Sequence, residues 1–182
     1  MRRYQRWGAA SAPLLLSLIC LPRAALSQVA TPDTTPLTFS GIPAGASLAR
    51  VSERLRELGP GSLSCLRSTR DRTVQECRAT LNRPGAPSLE IWLSAIDSLT
   101  GILTFKYSGN SATLDQWRTE LEQRYGNVPT QVQGVQRMKQ WVRRGRMIRL
   151  TWRREAPGTS ASVSMVDGRV LDGWGARQQG KQ

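Results

Sequence analysis

The side chains that could do chemistry are set in a chain of 182 residues with 26 basic groups, 13 carboxylates, three cysteines and no histidine. Without histidine there is no histidine-containing triad and none of the usual catalytic zinc sites. The glycine-bearing stretch GNVPTQVQG lacks both the Lys-Ser/Thr end of a phosphate loop and GxGxxG spacing. Two carboxylates alone suffice for glycoside hydrolysis, so the acids need inspection. Glu53 and Glu57 lie off the apolar stripe of their helix, and Glu120 and Glu122 diverge. Asp167 reads as a turn former, and Asp172 sits near the chain end. All read as solvated charges. No catalytic residue, metal site or cofactor is expected, and a small carboxylate hydrolase ranks last among the readings.

The cysteines are more informative. Cys65 and Cys77 sit in LSCLRSTRDRTVQECRATL, each six residues from Asp71. If the flanks pair as an antiparallel hairpin about Asp71, the two stand directly opposite each other, within adjustment of disulfide geometry. Such a bridge would stabilise the chain by about 3 kcal/mol on the chain-entropy model. A redox-active or metal-binding pair would want CxxC spacing or histidine partners, and the sequence has neither.

The third group is basic. From Arg137 to Arg154 there are eight basic residues and no acid. A two-residue turn at Arg144-Gly145 would pair Val142 with Met147, Trp141 with Ile148 and Gln140 with Arg149. Alternation then sends Trp141, Ile148, Leu150 and Trp152 to an apolar inner face, and Gln140, Arg149, Thr151 and Arg153 to the outer one. Arg143, Arg144 and Arg146 crowd the tip. Arg143, Arg144, Arg146, Arg149 and Arg153 are therefore candidate contacts for an anionic or protein partner. The plain alternative is a charged solvent face that discourages edge-to-edge aggregation. Tryptophans claimed by a core cannot stack on bases, which weakens a nucleic-acid reading.

Two helices must position these groups. SLARVSERLRELGPG places Leu48, Val51, Leu55 and Leu58 on one stripe, with Ser47 as cap and Gly59-Pro60 as stop. TLDQWRTELEQRYGN repeats the design with Leu114, Trp117 and Leu121, a Thr113/Gln116 capping box and Gly126 at its end. Strand patterns follow near 62–68, 74–81, 88–96 and 101–107, then near 136–143, 146–154, 159–166 and 169–174. Turn signals separate them: Asp97 to Gly101 for a longer turn, Arg144-Gly145 and Asp167-Gly168 for tight ones. ASLARVSERL also aligns with ATLDQWRTEL at an offset of 66. The expected fold is α+β: two helix-plus-antiparallel-sheet (αββββ-like) halves, 38–108 and 109–174, sharing one core.

Residues 1–27 read as a secretory signal: Arg2, Arg3 and Arg6, an apolar run from Ala12 to Leu21, then Ala25 and Ser27 at the cleavage position. Ile19 before Cys20 fits lipoprotein processing poorly, and Tyr4-Gln5-Arg6 continues a twin-arginine signal poorly. The apolar run is about half the ~20 residues a bilayer requires, so no transmembrane segment is expected after cleavage. Cleavage takes four arginines and no acid, moving the net charge from +13 to +9. Residues 28–37 read as a flexible tether and 175–182 as a disordered tail.

FSGIPAGASLARVSERLRELG resembles the entry of the BamE (SmpA/OmlA)-type outer-membrane assembly lipoproteins, where an Ile/Gly turn leads into a short helix ending in Leu-Gly. The doubled helix-plus-four-strands plan is similar to that of secreted β-lactamase inhibitor proteins. These resemblances imply a non-catalytic extracytoplasmic domain that works by binding another protein. They carry over no functional residue. The expectation is a periplasmic or secreted binding protein with an unidentified protein partner; the alternative is a binder of anionic envelope lipid or nucleic acid through the basic hairpin.

Overall fold

The computed structural model describes residues 36–83, 85–155 and 158–180. The expected secretory signal at 1–27 and residues 28–35 of the expected tether lie outside the described residues. The rest is α+β, with three helices and antiparallel sheet.

Helix α1 (Leu48–Leu58) starts where the Ser47 side chain accepts a hydrogen bond from the Arg50 N–H at 3.3 Å, and it buries Val51 and Leu55. Helix α2 (Ser111–Tyr125) buries Leu114, Trp117, Leu121 and Tyr125. Its cap is Asn110, whose Oδ1 accepts from the Ala112 N–H at 3.1 Å, and not Thr113. Asn caps as well as Thr does, so the helix gains most of a turn. At the far end Gly126 takes a φ of 86° and donates to the Glu122 carbonyl at 2.9 Å.

The strands are β1 (Thr38–Phe39), β2 (Ile42–Pro43), β3 (Ser64–Arg67), β4 (Val74–Arg83), β5 (Ala86–Ile96), β6 (Leu99–Gly109), β7 (Gln131–Gln133), β8 (Gln136–Arg143), β9 (Arg146–Glu155) and β10 (Gly158–Asp167). β1 and β2 pair with each other. The other eight form one sheet in the order β3-β4-β5-β6-β10-β9-β8-β7. The β8–β9 register is the expected one, with Trp141 opposite Ile148 and Gln140 opposite Arg149. Arg144 and Gly145 both take positive φ, 49° and 74°, as a tight hairpin of this hand requires. Asp97 and Ser98 do the same, so the β5–β6 turn is two residues long and not the longer loop expected.

Inward side chains of the strands and the stripes of α1 and α2 make one core. Phe39 stands edge-on to both Phe105 and Trp117, with ring centroids 5.2 and 5.3 Å apart, bringing the N-terminal hairpin between sheet and helix. The Tyr125 hydroxyl secures that hairpin by accepting from the Thr38 N–H at 2.6 Å and donating to the Thr38 carbonyl at 2.7 Å. The tether does not run to residue 37: Leu37 is buried in the core.

The C-terminal end departs from expectation. No strand forms at 169–174, and 175–180 is not a disordered tail; helix α3 (Gly168–Gln179) occupies both. Asp167 does not turn a hairpin. Its carboxylate caps α3 by accepting from the Arg169 N–H at 3.1 Å. Gly168, Gly173 and Gly175 hide the helix from propensity, because glycine is among the weakest helix formers. Contacts from outside hold it: Asp71 accepts from Trp174 Nε1 and Gln178 Nε2, both at 2.7 Å, and Arg177 pairs with Asp97 at 2.7 Å. The eighth strand of the sheet is instead β7, which carries no strong strand signal.

Candidate functional site: the uncovered sheet face and the basic hairpin

α1 and α2 cover one face of the sheet. Side chains of the opposite parity make the second face, and the registers place them in straight rows. Arg78 stands opposite Trp92, Trp92 opposite Thr104, Thr104 opposite Ser164, Ser164 opposite Arg149 and Arg149 opposite Gln140. This row crosses six strands, about 24 Å at ~4.8 Å per strand. The next row toward the β8–β9 turn is more apolar: Leu66, Glu76, Ser94, Ile102, Val166, Met147 and Val142. Leu66 and Val142 at its ends are 76% and 62% exposed, well above what an isolated core-facing residue would show. The row on the other side holds Thr80, Glu90, Lys106, Ser162, Thr151 and Met138, with Lys106 and Glu90 paired at 3.0 Å.

The five arginines of the basic hairpin do not form one cluster. Arg149 and Arg153 project on the uncovered face, and Arg149 donates from Nε and Nη2 to the Gln140 Oε1 at 3.0 and 2.8 Å. Arg144 is exposed at the tip. Arg143 and Arg146 turn to the helix side. Arg143 donates to the Tyr125 carbonyl at 3.2 Å, with its guanidinium 5.1 Å from the Tyr125 ring centroid, so it completes the end of α2. Arg146 donates to Asp167 at 2.7 Å. The local excess of positive charge is thus partly neutralised by an acid 21 residues away in sequence.

Asp167 is not the solvated turn residue expected: its side chain is only 1% exposed. Burial alone would raise its pKa, but hydrogen bonds from Arg169 and Arg146, reinforced by their charges, hold the carboxyl below its ordinary value. Its parity with Thr159, Ala161, Val163 and Met165, all inward, was the available signal. Lys139 is the second buried charge that sequence reasoning missed. It reaches Glu122 at 2.5 Å and Asn127 at 2.6 Å, joining β8 to α2. Of the other acids, Glu57 pairs with Arg54 at 2.6 Å and Glu120 with Arg124 at 3.9 Å.

Cys65 and Cys77 are bonded as a disulfide at directly opposed positions of β3 and β4. Among the described residues no group of three or more His, Cys, Asp or Glu could hold a metal ion. No described helix is long and apolar enough to cross a membrane. No protein-family model, curated protein or solved structure matches this chain.

Proposed function

We propose that this chain is an exported, non-catalytic binding protein that docks a protein partner on the uncovered face of its eight-stranded sheet. The observation that carries the reading is the face itself: three ordered rows across the sheet, with Trp92 and arginines beside an apolar row, on the side opposite the core that α1 and α2 cover. The rows cover about 600 Å² before side-chain relief, near the ~800 Å² that a standard protein interface buries on each partner. Aromatic and arginine side chains around an apolar centre are the composition of interface hot spots. From Met147 to Arg153 the outward positions of β9 carry Arg149 and Arg153 and no acid, so the fitting partner is a protein with an acidic surface beside an apolar one.

Two features support the rest of the proposal. The disulfide suits an oxidising compartment, periplasmic or extracellular. The strand order reverses about the β6–β10 contact, with a helix ahead of each group of four strands, which supports two αββββ halves sharing a core. In place of the expected final strand, the second half draws on β7.

The test is capture from an envelope extract at low and physiological salt, using the wild type, Trp92→Ala/Arg149→Glu on the uncovered face, and Arg50→Glu on α1 as a control. The expected result is one protein retained by the wild type and the control but lost by the double variant. Equal retention by all three would overturn the assignment of the face. A ligand that is lipid or nucleic acid, released steeply as salt rises, would favour the anion-binding alternative instead.

A further inference from the structure

The β3–β4 hairpin does more than form a sheet edge. β3 is an edge strand of four exposed residues, paired to β4 alone. Its link to β4 is reinforced by the disulfide, with Cys65 exposed and Cys77 fully buried. The loop between them carries Asp71, whose Oδ1 accepts from the Thr73 N–H at 3.0 Å, fixing the carboxylate's orientation. Its Oδ2 then accepts from Trp174 and Gln178 of α3 at 2.7 Å each. α3 buries no residue fully, so it depends on such contacts more than α1 and α2 do.

We propose that the Cys65–Cys77 bond is a redox-sensitive latch: its reduction by a dithiol loosens the hairpin loop and, through Asp71, releases the C-terminal half of α3 from the end of the sheet. Cys65, the exposed residue of the pair, sets the order of attack. A dithiol's thiolate attacks Cys65 Sγ, forming a mixed disulfide and expelling Cys77 as thiolate, which takes up a proton. The reagent's second thiol, as thiolate, then attacks the sulfur that came from the dithiol, closing its own disulfide and releasing Cys65. Two electrons pass from dithiol to protein, and no other reactant is needed. The N-terminal turn of α3 stays in place because Asp167 caps it and Leu171 packs over Gly101, where a Cβ would meet the leucine at 2.9 Å.

The test is amide hydrogen exchange on the full chain, oxidised and reduced with dithiothreitol, beside an Asp71→Ala variant that keeps the disulfide. Reduction and Asp71→Ala should each speed exchange across residues 173–179 by about tenfold or more through a local opening insensitive to low urea, and Asp71→Ala should leave β5, β6, β9 and β10 within about twofold. Unchanged α3 protection on reduction would overturn the latch, and so would unchanged protection in Asp71→Ala. Exchange at 173–179 that speeds on reduction only in step with the sheet, and rises with urea as the sheet does, would also refute it, since the disulfide would then serve only the whole fold.

Discussion

Arg146 and Asp167 stand directly opposite each other on β9 and β10, and the guanidinium donates to the carboxylate at 2.7 Å while the acid is shut off from solvent. Arg169 reaches the same carboxylate at 3.2 Å. One buried acid therefore caps α3, anchors the basic hairpin and closes the end of the sheet. Asp167→Ala should destabilise the protein by about 3 kcal/mol, because it removes the partner of a partly buried arginine as well as a helix cap. Urea denaturation of variant and wild type gives the difference.

The same contact makes stability pH-dependent. The carboxyl's pKa is lowered in the folded state, so its contribution is complete above the unfolded value of about 3.9 and is lost as pH falls through the folded value. Urea midpoints measured from pH 6 downward should fall more steeply below about pH 4 for the wild type than for Asp167→Asn, which has no proton to bind there. Parallel curves would mean that other carboxylates govern acid unfolding.

Gly45 holds a left-handed φ of 82°, and a Cβ placed there would run into the Asp167 carboxylate. Gly45→Ala should lower stability by about 2 kcal/mol, from backbone strain and displacement of the acid together. If Asp167 is the obstacle, the penalty will shrink in the Asp167→Ala background, and a double-mutant cycle reads this directly.

Tyr125→Phe removes the hydroxyl that both accepts from and donates to the Thr38 backbone. The expected loss is about 1–2 kcal/mol, with faster exchange confined to residues 37–44. Phe39→Ala should cost more, about 3–5 kcal/mol, because its ring fills the space between Phe105 and Trp117.

Reducing the disulfide should lower stability by about 3 kcal/mol on the chain-entropy model, measured as a shift in urea midpoint. The latch requires more than this, since it also assigns where protection is lost.

Much of the fold was legible because it is local. The Cys65–Cys77 opposition and the Trp141–Ile148 register follow from short turns, where strand pairing is set within a few residues. The apolar stripes of α1 and α2 follow from helical spacing in the same way. Trp92 went unread as a surface residue, although alternation with the inward Ile91 and Leu93 places it outside. The arginines look like one basic group in sequence because their neighbours include no acid; Asp167 lies 21 residues beyond Arg146.

By itself the chain determined its two amphipathic helices, its hairpins and the pairing of Cys65 with Cys77, since periodicity and turn chemistry act over short separations. Tertiary structure alone decided that 168–179 is a helix, through contacts such as Asp71 with Trp174, 103 residues apart. It alone also set the pairing of β6 with β10, which aligns the rows of the uncovered face. Such contacts form between segments that no local pattern relates. Their energy comes from burial and hydrogen bonds that exist only once the whole sheet has assembled.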